Sequence, residues 1–395
     1  MPVQHFNDED PVPFTPKIVD GKPVFLGQGA DGRVFKVVPR PETQAAWGTR
    51  FQGSTFCRKE IGCVDPGAAL DKECRMMERL SILEPYRRRH FVTLQMAYSK
   101  LSKGVRRYYL ISSPVANGGN LFDYLKSSRP YQYQSNTYQL SAYQMATYSS
   151  TAYPATVYPS AAYTSTACPS TAYLTPARLS STYSSSYTLR SIPTQDAWKS
   201  NLLKMMHCLV ASLASMHLAG VEHHDIHPWN ILVHDHEPLY TDFGRSCDFQ
   251  PLPDSSTTNE ISQYYSLYRA PEHEFRERRG WHTDVFALGG VLFEIAAVLT
   301  DDQNLKNVRP FENNNRLSHL PILKCARDAL LIAAQESPYQ KELHVIYQML
   351  DDNVTNRITA EQCMWGLPVD YCDSCLDVYN SCAEIARRRH YGMSG

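Results

Sequence analysis

Between His223 and Val233 the chain reads His223-His224-Asp225-Ile226-His227-Pro228-Trp229-Asn230-Ile231-Leu232-Val233. A carboxylate is followed two residues on by a basic side chain, five residues on by an amide, and then by an apolar strand. Phosphoryl transfer to a hydroxyl asks for such parts. A carboxylate orients the attacking hydroxyl and takes its proton, and an oxygen ligand close by holds magnesium. Asp225 and Asn230 have the types and spacing to do both from one tight loop. Further on, Tyr240-Thr241-Asp242-Phe243-Gly244 offers Asp242 as a second metal-binding carboxylate. Either fragment alone reads equally well as an ordinary polar loop. Together, in this order and each beside an apolar strand, they point to one site.

Other elements must bring a phosphate donor to that loop. Val24-Phe25-Leu26-Gly27-Gln28-Gly29-Ala30-Asp31-Gly32-Arg33-Val34-Phe35-Lys36-Val37-Val38 predicts strand, glycine turn, strand. Spaced glycines also open dinucleotide folds, but a helix follows there, whereas β-branched and aromatic residues follow here. Glycines let such a hairpin lie close over phosphates, so that backbone N–H groups reach them. Phe56-Cys57-Arg58-Lys59-Glu60-Ile61 predicts a short strand on which Cys57 and Lys59 face the same way. Asp65-Pro66 has the chemistry of a helix cap with proline in the first turn. On the helix that follows, Leu70, Cys74, Met77 and Leu80 form one stripe, and Glu73 falls inside it. A carboxylate on a buried face needs a partner, and Lys59 is the natural candidate.

Tyr108 to Ile111 predicts a further strand, Pro114-Val115-Ala116-Asn117-Gly118-Gly119-Asn120 a connector, and Leu121 onward a helix. Residues 131–194 then change composition. Tyrosines recur at Tyr138, Tyr143, Tyr148, Tyr153, Tyr158, Tyr163, Tyr173 and Tyr183, a period of five broken by Cys168 and Arg178. That period suits neither helix nor strand and carries no aliphatic set, so the stretch is expected to be a disordered tandem insert. Order returns with a helix stripe of Leu202, Met206, Leu209, Leu213 and Met216 that leads into the Asp225 loop. After Asp242 come Tyr268-Arg269-Ala270-Pro271-Glu272, an apolar helix opened by Asp284, and a helical tail containing Arg357.

At 395 residues the chain has room for two lobes. Its 39 Lys plus Arg against 40 Asp plus Glu give no excess charge to draw it to nucleic acid or an acidic membrane. Arg87-Arg88-Arg89 and Arg387-Arg388-Arg389 read as solvated faces, with a nuclear address as second choice. Met1 to Pro16 lacks the apolar core of a signal peptide, and Val285 to Leu299 contains Glu294 and is too short to span a bilayer. Eleven cysteines, an odd number without framework spacing, suit a reducing cytoplasm. Cys372-x-x-Cys375 suggests a metal, with Cys363 and Cys382 as company. Yet Cys372, Cys375, Leu376, Tyr379 and Cys382 recur at helical spacing, which favours a buried apolar stripe over zinc.

In this order the pieces resemble the eukaryotic-type protein kinase family, from about Leu26 to Leu367, interrupted by the Tyr-rich insert. The resemblance implies an α+β, bilobal fold with a β-rich small lobe, a mostly helical large lobe and ATP with Mg2+ in the cleft. The expected division is an N-terminal extension at 1–20, a small lobe at 21–113, a large lobe at 114–371 broken by the insert at 131–194, and a helical tail at 372–395. Leu26, Gly27, Gly29, Gly32 and Val34 match the phosphate-covering loop and its flanks, Cys57 a wall of the adenine pocket, and Lys59 the phosphate-gripping lysine. Glu73 matches that lysine's helix partner, Val115 and Ala116 the adenine-binding hinge, Asp225 the catalytic base, and Asn230 and Asp242 the magnesium ligands. Glu272 and Arg357 match a pair that locks the activation segment, and Asp284 the anchor beneath the catalytic loop.

The departures bear on substrate and control. His224 stands where many kinases have an arginine that pairs with an activation-segment phosphate, which argues against that mode of activation, although Ser255, Ser256, Thr257 and Thr258 lie in the segment. His227 stands where Ser/Thr kinases have a catalytic lysine. The string His-x-Asp-Ile-His-Pro-x-Asn is similar instead to small-molecule phosphotransferases of the aminoglycoside and choline kinase kind. Those enzymes generally lack the tight glycine loop and the Ala-Pro-Glu segment, which this chain has, and Ser266 matches a hydroxyl that touches the catalytic loop in protein kinases. The expectation is a monomeric Ser/Thr protein kinase acting on protein substrates. A small-molecule phosphotransferase and a non-catalytic scaffold are the alternatives, the scaffold being weakest because Lys59, Asp225, Asn230 and Asp242 are all present.

Overall fold

The computed structural model describes residues 3–29, 32–47, 55–62, 65–127, 195–248, 267–273, 280–311, 313 and 315–390. The Tyr-rich insert, Ser255 to Thr258 and Ser266 lie outside them.

The chain begins with strands β1 (Gln4–Phe6) and β2 (Phe14–Pro16), a two-residue ribbon of β3 (Ile18–Val19) and β4 (Lys22–Pro23), and the hairpin β5 (Phe25–Gly29) and β6 (Gly32–Pro39). Helix α1 (Pro41–Trp47), β7 (Phe56–Ile61), α2 (Pro66–Ser81), β8 (Thr93–Ser102) and β9 (Val105–Ser113) follow. Seven of these strands form one sheet in the order β1-β8-β9-β7-β6-β2, with β5 also paired to β6. The sheet owes its order to local signals. Aromatic and β-branched residues fill β6 and β9, and a Lys103-Gly104 turn with both φ positive closes β8 on β9.

Residues 1–20 are expected to precede the small lobe, but Gln4–Phe6 and Phe14–Pro16 within them pair into its sheet. β1 runs parallel to β8, and Phe14, fully buried, packs with Val37, Phe56, Met96, Tyr98 and Ile111. Three-residue strands carry no readable period, so only their partners give them away. Helix α2 forms as its sequence predicts. The Asp65 carboxylate accepts the Ala68 N–H, Pro66 opens the first turn, and Leu70, Cys74, Met77 and Leu80 are buried together with Glu73.

The rest is mostly helical: α3 (Leu121–Ser127), α4 (Gln195–Leu218), α5 (Trp281–Thr300), α6 (Gln303–Asn307), α7 (Leu320–Ala334), α8 (Gln340–Met349), α9 (Ala360–Gly366) and α10 (Asp373–His390). Between α4 and α5 lie short strands β10 (Val221–Glu222), β11 (Ile231–His234), β12 (Glu237–Tyr240) and β13 (Cys247–Asp248). β10 pairs with β13, and β11 with β12. Helix α5 is long and apolar enough to cross a bilayer by composition, but 83% of its most apolar stretch is buried inside the protein, so it is the lobe's core helix. Of its two buried acids, Asp284 and Glu294, the second is satisfied by Arg309 at 2.6 Å, the Phe311 N–H at 3.0 Å and the Tyr268 hydroxyl at 3.2 Å.

Candidate active site

The cleft side chains come from both lobes. β7 and β6 are paired with Val34 opposite Lys59 and Lys36 opposite Cys57, so Val34, Cys57 and Lys59 share one neighbourhood of the sheet. The Lys59 ammonium lies 2.9 Å from Glu73 Oε2 on α2 and 2.7 Å from Asp242 Oδ1. Burial alone would lower the lysine's pKa, but the two carboxylates outweigh it and raise it above its ordinary value. Asp242 answers in the opposite sense: burial pushes it up, and the Lys59 charge holds it below the ordinary carboxylate range. One cation thus binds the small-lobe strand, the helix and the large-lobe turn together. Glu73 has the partner its buried position demanded.

The strand, glycine turn and strand form as a hairpin. Gly29 and Gly32 face each other at its end, and a Cβ on Gly32 would stand 1.9 Å from the Glu60 carbonyl oxygen. A side chain there would force β6 off β7. Around Gly27 nothing comes within 4 Å, leaving open space. Leu26 sits on the bulge between the Phe25↔Phe35 and Gly27↔Val34 pairs and is exposed. Cys57 Sγ is 4.0 Å from the Pro114 carbonyl, at the start of the connector in which Val115 and Ala116 are half-buried. Burial pushes the Cys57 thiol up to about 12, against a smaller downward pull from Lys36.

The Asp225 loop is held from below. Asp284, near the start of α5, accepts the backbone N–H groups of His223 at 2.7 Å and His224 at 2.8 Å and meets the His217 ring at 3.1 Å. Burial pushes this carboxyl up, but the His217 bond and the charges of His224 and His217 hold it at about 2. It is therefore an ionised anchor. The loop then turns through His224, whose φ of 61° lies in the left-handed region, so that Asp225 emerges into the cleft.

Asn230 closes the loop. Its amide donates to the Asp225 carbonyl at 3.0 Å and to Asp225 Oδ2 at 3.1 Å. The β11–β12 hairpin then returns the chain, and the Thr241 N–H donates to the Asn230 carbonyl at 3.1 Å. Asn230 and Asp242 are neighbours for that reason. Asp242 adopts a φ of 64°, and Phe243 behind it is fully buried against Phe91 and His223.

His227 Nε2 stands 3.7 Å from Asp225 Oδ2, while its Nδ1 is buried without a hydrogen-bond partner. Arg245, which the sequence did not single out, brings its Nε within 3.5 Å of the same oxygen. Burial pushes Asp225 up, but His227 and then Arg245 outweigh it, so the carboxyl sits well below its ordinary value. His224, in the place of the phosphate-pairing arginine, turns to Glu222 at 2.6 Å and lies beside Cys247. Burial alone would push the ring down, but bonds to Cys247 and Glu222 raise it to about 10. Its charge is already used inside the fold.

Behind the site, Arg357 makes two bonds to Glu272, at 2.6 and 3.0 Å, with both side chains buried. The donor set in the cleft is hard: two carboxylates, an amide oxygen and one lysine, with no thiol among the expected ligands. Such a set fits magnesium and phosphate oxygens, and Asn230 and Asp242 are the residues that would hold the ion.

A bilobal α+β fold with this cleft is that of a protein kinase. The family model for the protein kinase domain matches residues 161–365, just over half of the chain, and the chain belongs to that family. Among curated relatives, a serine/threonine-protein kinase/endoribonuclease of Arabidopsis thaliana, IRE1b, is 34% identical over 111 residues, covering 25% of this chain and 12% of the relative. A probable serine/threonine-protein kinase of Thermomonospora curvata, PkwA, is 32% identical over 120 residues, 30% of this chain and 16% of the relative. Another of Dictyostelium discoideum, irlD, is 25% identical over 160 residues, 40% and 10%. The chain thus spans only a small part of the length of these relatives.

Proposed function

We propose that the protein transfers the γ-phosphoryl group of Mg-ATP to serine or threonine hydroxyls of protein substrates. The observation that carries this reading is the Lys59 ammonium shared between Glu73 and Asp242, with Asp225 and Asn230 linked across the same cleft. A scaffold has no need to hold all of these groups in register.

Asp225 accepts the proton of the attacking hydroxyl, and its depressed pKa keeps it ionised and ready. Asn230 fixes the rotation of that carboxylate through its amide. Lys59, kept charged by its two carboxylates, grips the phosphates of the donor. Asn230 and Asp242 would hold magnesium, which would supply positive charge against the transferring group. His227 and Arg245, both close to Asp225, put positive charge or N–H groups where negative charge develops, the task a lysine has elsewhere in the family. The buried Glu272–Arg357 pair and the names of the relatives favour a protein acceptor over a small molecule. The cysteine usage keeps a reducing cytoplasm as the proposed location.

The test offers purified protein labelled ATP and magnesium with panels of protein and small-molecule acceptors, beside Asp225→Asn. Loss of the base should lower transfer by roughly 10²–10⁴-fold while nucleotide binding persists. Label on small molecules alone would replace this reading with the phosphotransferase one, and undiminished transfer by Asp225→Asn would remove the assigned base.

A further inference from the structure

Away from the cleft, four side chains from three distant parts of the chain converge. His90 lies in the turn between α2 and β8, Cys208 on α4, Cys372 just before α10, and Cys375 in its first turn. Their ligand atoms all lie within 4.8 Å of one another, and His90, Cys208 and Cys375 are each only 1% exposed. Cys363 and Cys382, the expected company of the Cys-x-x-Cys pair, are not in the group. His90 and Cys208 take their places.

We propose that His90, Cys208, Cys372 and Cys375 form a structural zinc site that fastens the C-terminal helix α10 to the α2–β8 turn and to α4. Three sulfurs and one imidazole are the donors of a closed, four-coordinate zinc site, and a Cys-x-x-Cys step lets one chain segment supply two corners of the tetrahedron. Zn–S bonds of about 2.3 Å and a Zn–N bond of about 2.0 Å imply tetrahedral edges of about 3.8 Å between sulfurs and about 3.5 Å from sulfur to nitrogen. His90 Nε2 is already 3.3 Å from Cys372 Sγ. Closing the longest separation requires each partner to move only about 0.5 Å.

The orientation of the histidine argues for a ligand rather than for simple packing. Its Nδ1 is 2.8 Å from the Pro238 carbonyl oxygen, which accepts only, so Nδ1 carries the proton. In the neutral ring Nε2 is then left with its lone pair directed at the Cys372 sulfur, 3.3 Å away. A second-nitrogen bond to a backbone carbonyl is how metal-binding imidazoles are commonly held. Helical spacing explains why Cys375, Val378 and Cys382 are buried along α10. It does not explain why His90 and Cys208 meet Cys372 and Cys375 at one point.

The full chain, purified without chelator, should carry one equivalent of zinc by elemental mass spectrometry. Cys375→Ser and His90→Ala should lose it, and Cys363→Ser, buried outside the group, should keep it. Because a variant could fail to fold, the metal-stripped wild type is also titrated with Co(II), where thiolate-to-cobalt charge transfer and a tetrahedral ligand-field band should saturate at one equivalent. Asn230 and Asp242 offer no sulfur and cannot produce that charge-transfer band. Zinc removal should in addition lower the melting temperature, with restoration on adding zinc. Wild type with fully reduced thiols that holds no zinc and gives no cobalt band would overturn the proposal. So would zinc retained at full occupancy in Cys375→Ser, or an intact mass showing a disulfide among the three cysteines.

Discussion

Arg357→Met tests how much of the large lobe depends on one buried charge pair. Arg357 donates to both Glu272 oxygens, to the Asp351 carbonyl through Nε and Nη2 at 3.0 and 2.8 Å, and to the His282 carbonyl at 3.0 Å. Its guanidinium also lies 4.9 Å from the Phe286 ring centre. Methionine fills much of the volume but donates nothing, so Glu272, 4% exposed, becomes an unpaired buried carboxylate. Breaking such a pair from one side costs about 3–5 kcal/mol, and bare carbonyls add to it. The expected loss is about 4 kcal/mol or more. Glu272→Gln should cost less, about 2 kcal/mol, because the arginine keeps its three carbonyl bonds and an amide oxygen to donate to. The double variant should cost less than the two singles added, since without Arg357 the neutral glutamine relieves the orphaned charge. Urea unfolding followed by tryptophan fluorescence measures the loss, with Trp281, one of the five tryptophans, stacked on His282 at 3.4 Å next to the pair. A loss below about 1 kcal/mol for Arg357→Met, or strict additivity in the double variant, would refute the reasoning.

Three further outcomes follow from the site. Cys57, with its thiol raised to about 12 by burial, should react slowly with an alkylating probe at neutral pH and more slowly still under saturating ATP; rates unchanged by ATP would place it off the adenine pocket. His224 has a folded pKa of about 10, above the unfolded value near 6.5, so its contribution is complete below about pH 6.5 and is lost as pH rises through 10, by at most about 1.4 kcal/mol per pH unit. Glu222→Gln should flatten part of that stability profile measured by urea midpoints, Cys247 being the stronger partner, and an unchanged slope would show that Glu222 does not help hold the His224 charge. Gly32→Ala should lower the melting temperature because its Cβ meets the Glu60 carbonyl, whereas Gly27→Ala, with open space around it, should leave stability intact and weaken only nucleotide binding.

What the sequence revealed and what it hid differ by the distance over which a residue's role is decided. The Lys59–Glu73 pair was legible because a carboxylate inside an apolar helix stripe must find a cation, and the only information needed was the helical period. Asp225 and Asn230 were legible because one loop carries both. Asp242 follows on the far side of a short hairpin, so its position was nearly local as well. Arg245 escaped notice because nothing in its own neighbourhood says that the turn after Phe243 points back at Asp225. Residues 4–6 and 14–16 escaped for a similar reason: a three-residue strand is defined by the neighbour it pairs with, here β8 and β6.

The cysteines show both limits at once. Periodicity placed Cys375 and Cys382 on the buried face of α10, where Val378 rather than the exposed Leu376 joins them, and it concealed the second property of Cys375. A stripe predicts burial whatever the chemistry of the buried atom, whereas a metal site is defined by atoms that meet. His90 and Cys375 meet only after the small-lobe turn has docked on β12 through Pro238 and α10 has packed on α4. If zinc closes that cluster, the turn that leaves the Glu73 helix and the C-terminal helix become one mechanical unit. Loss of the ion should then loosen the end of α2 before it disturbs the Asp225 loop, which Asp284 holds independently from α5.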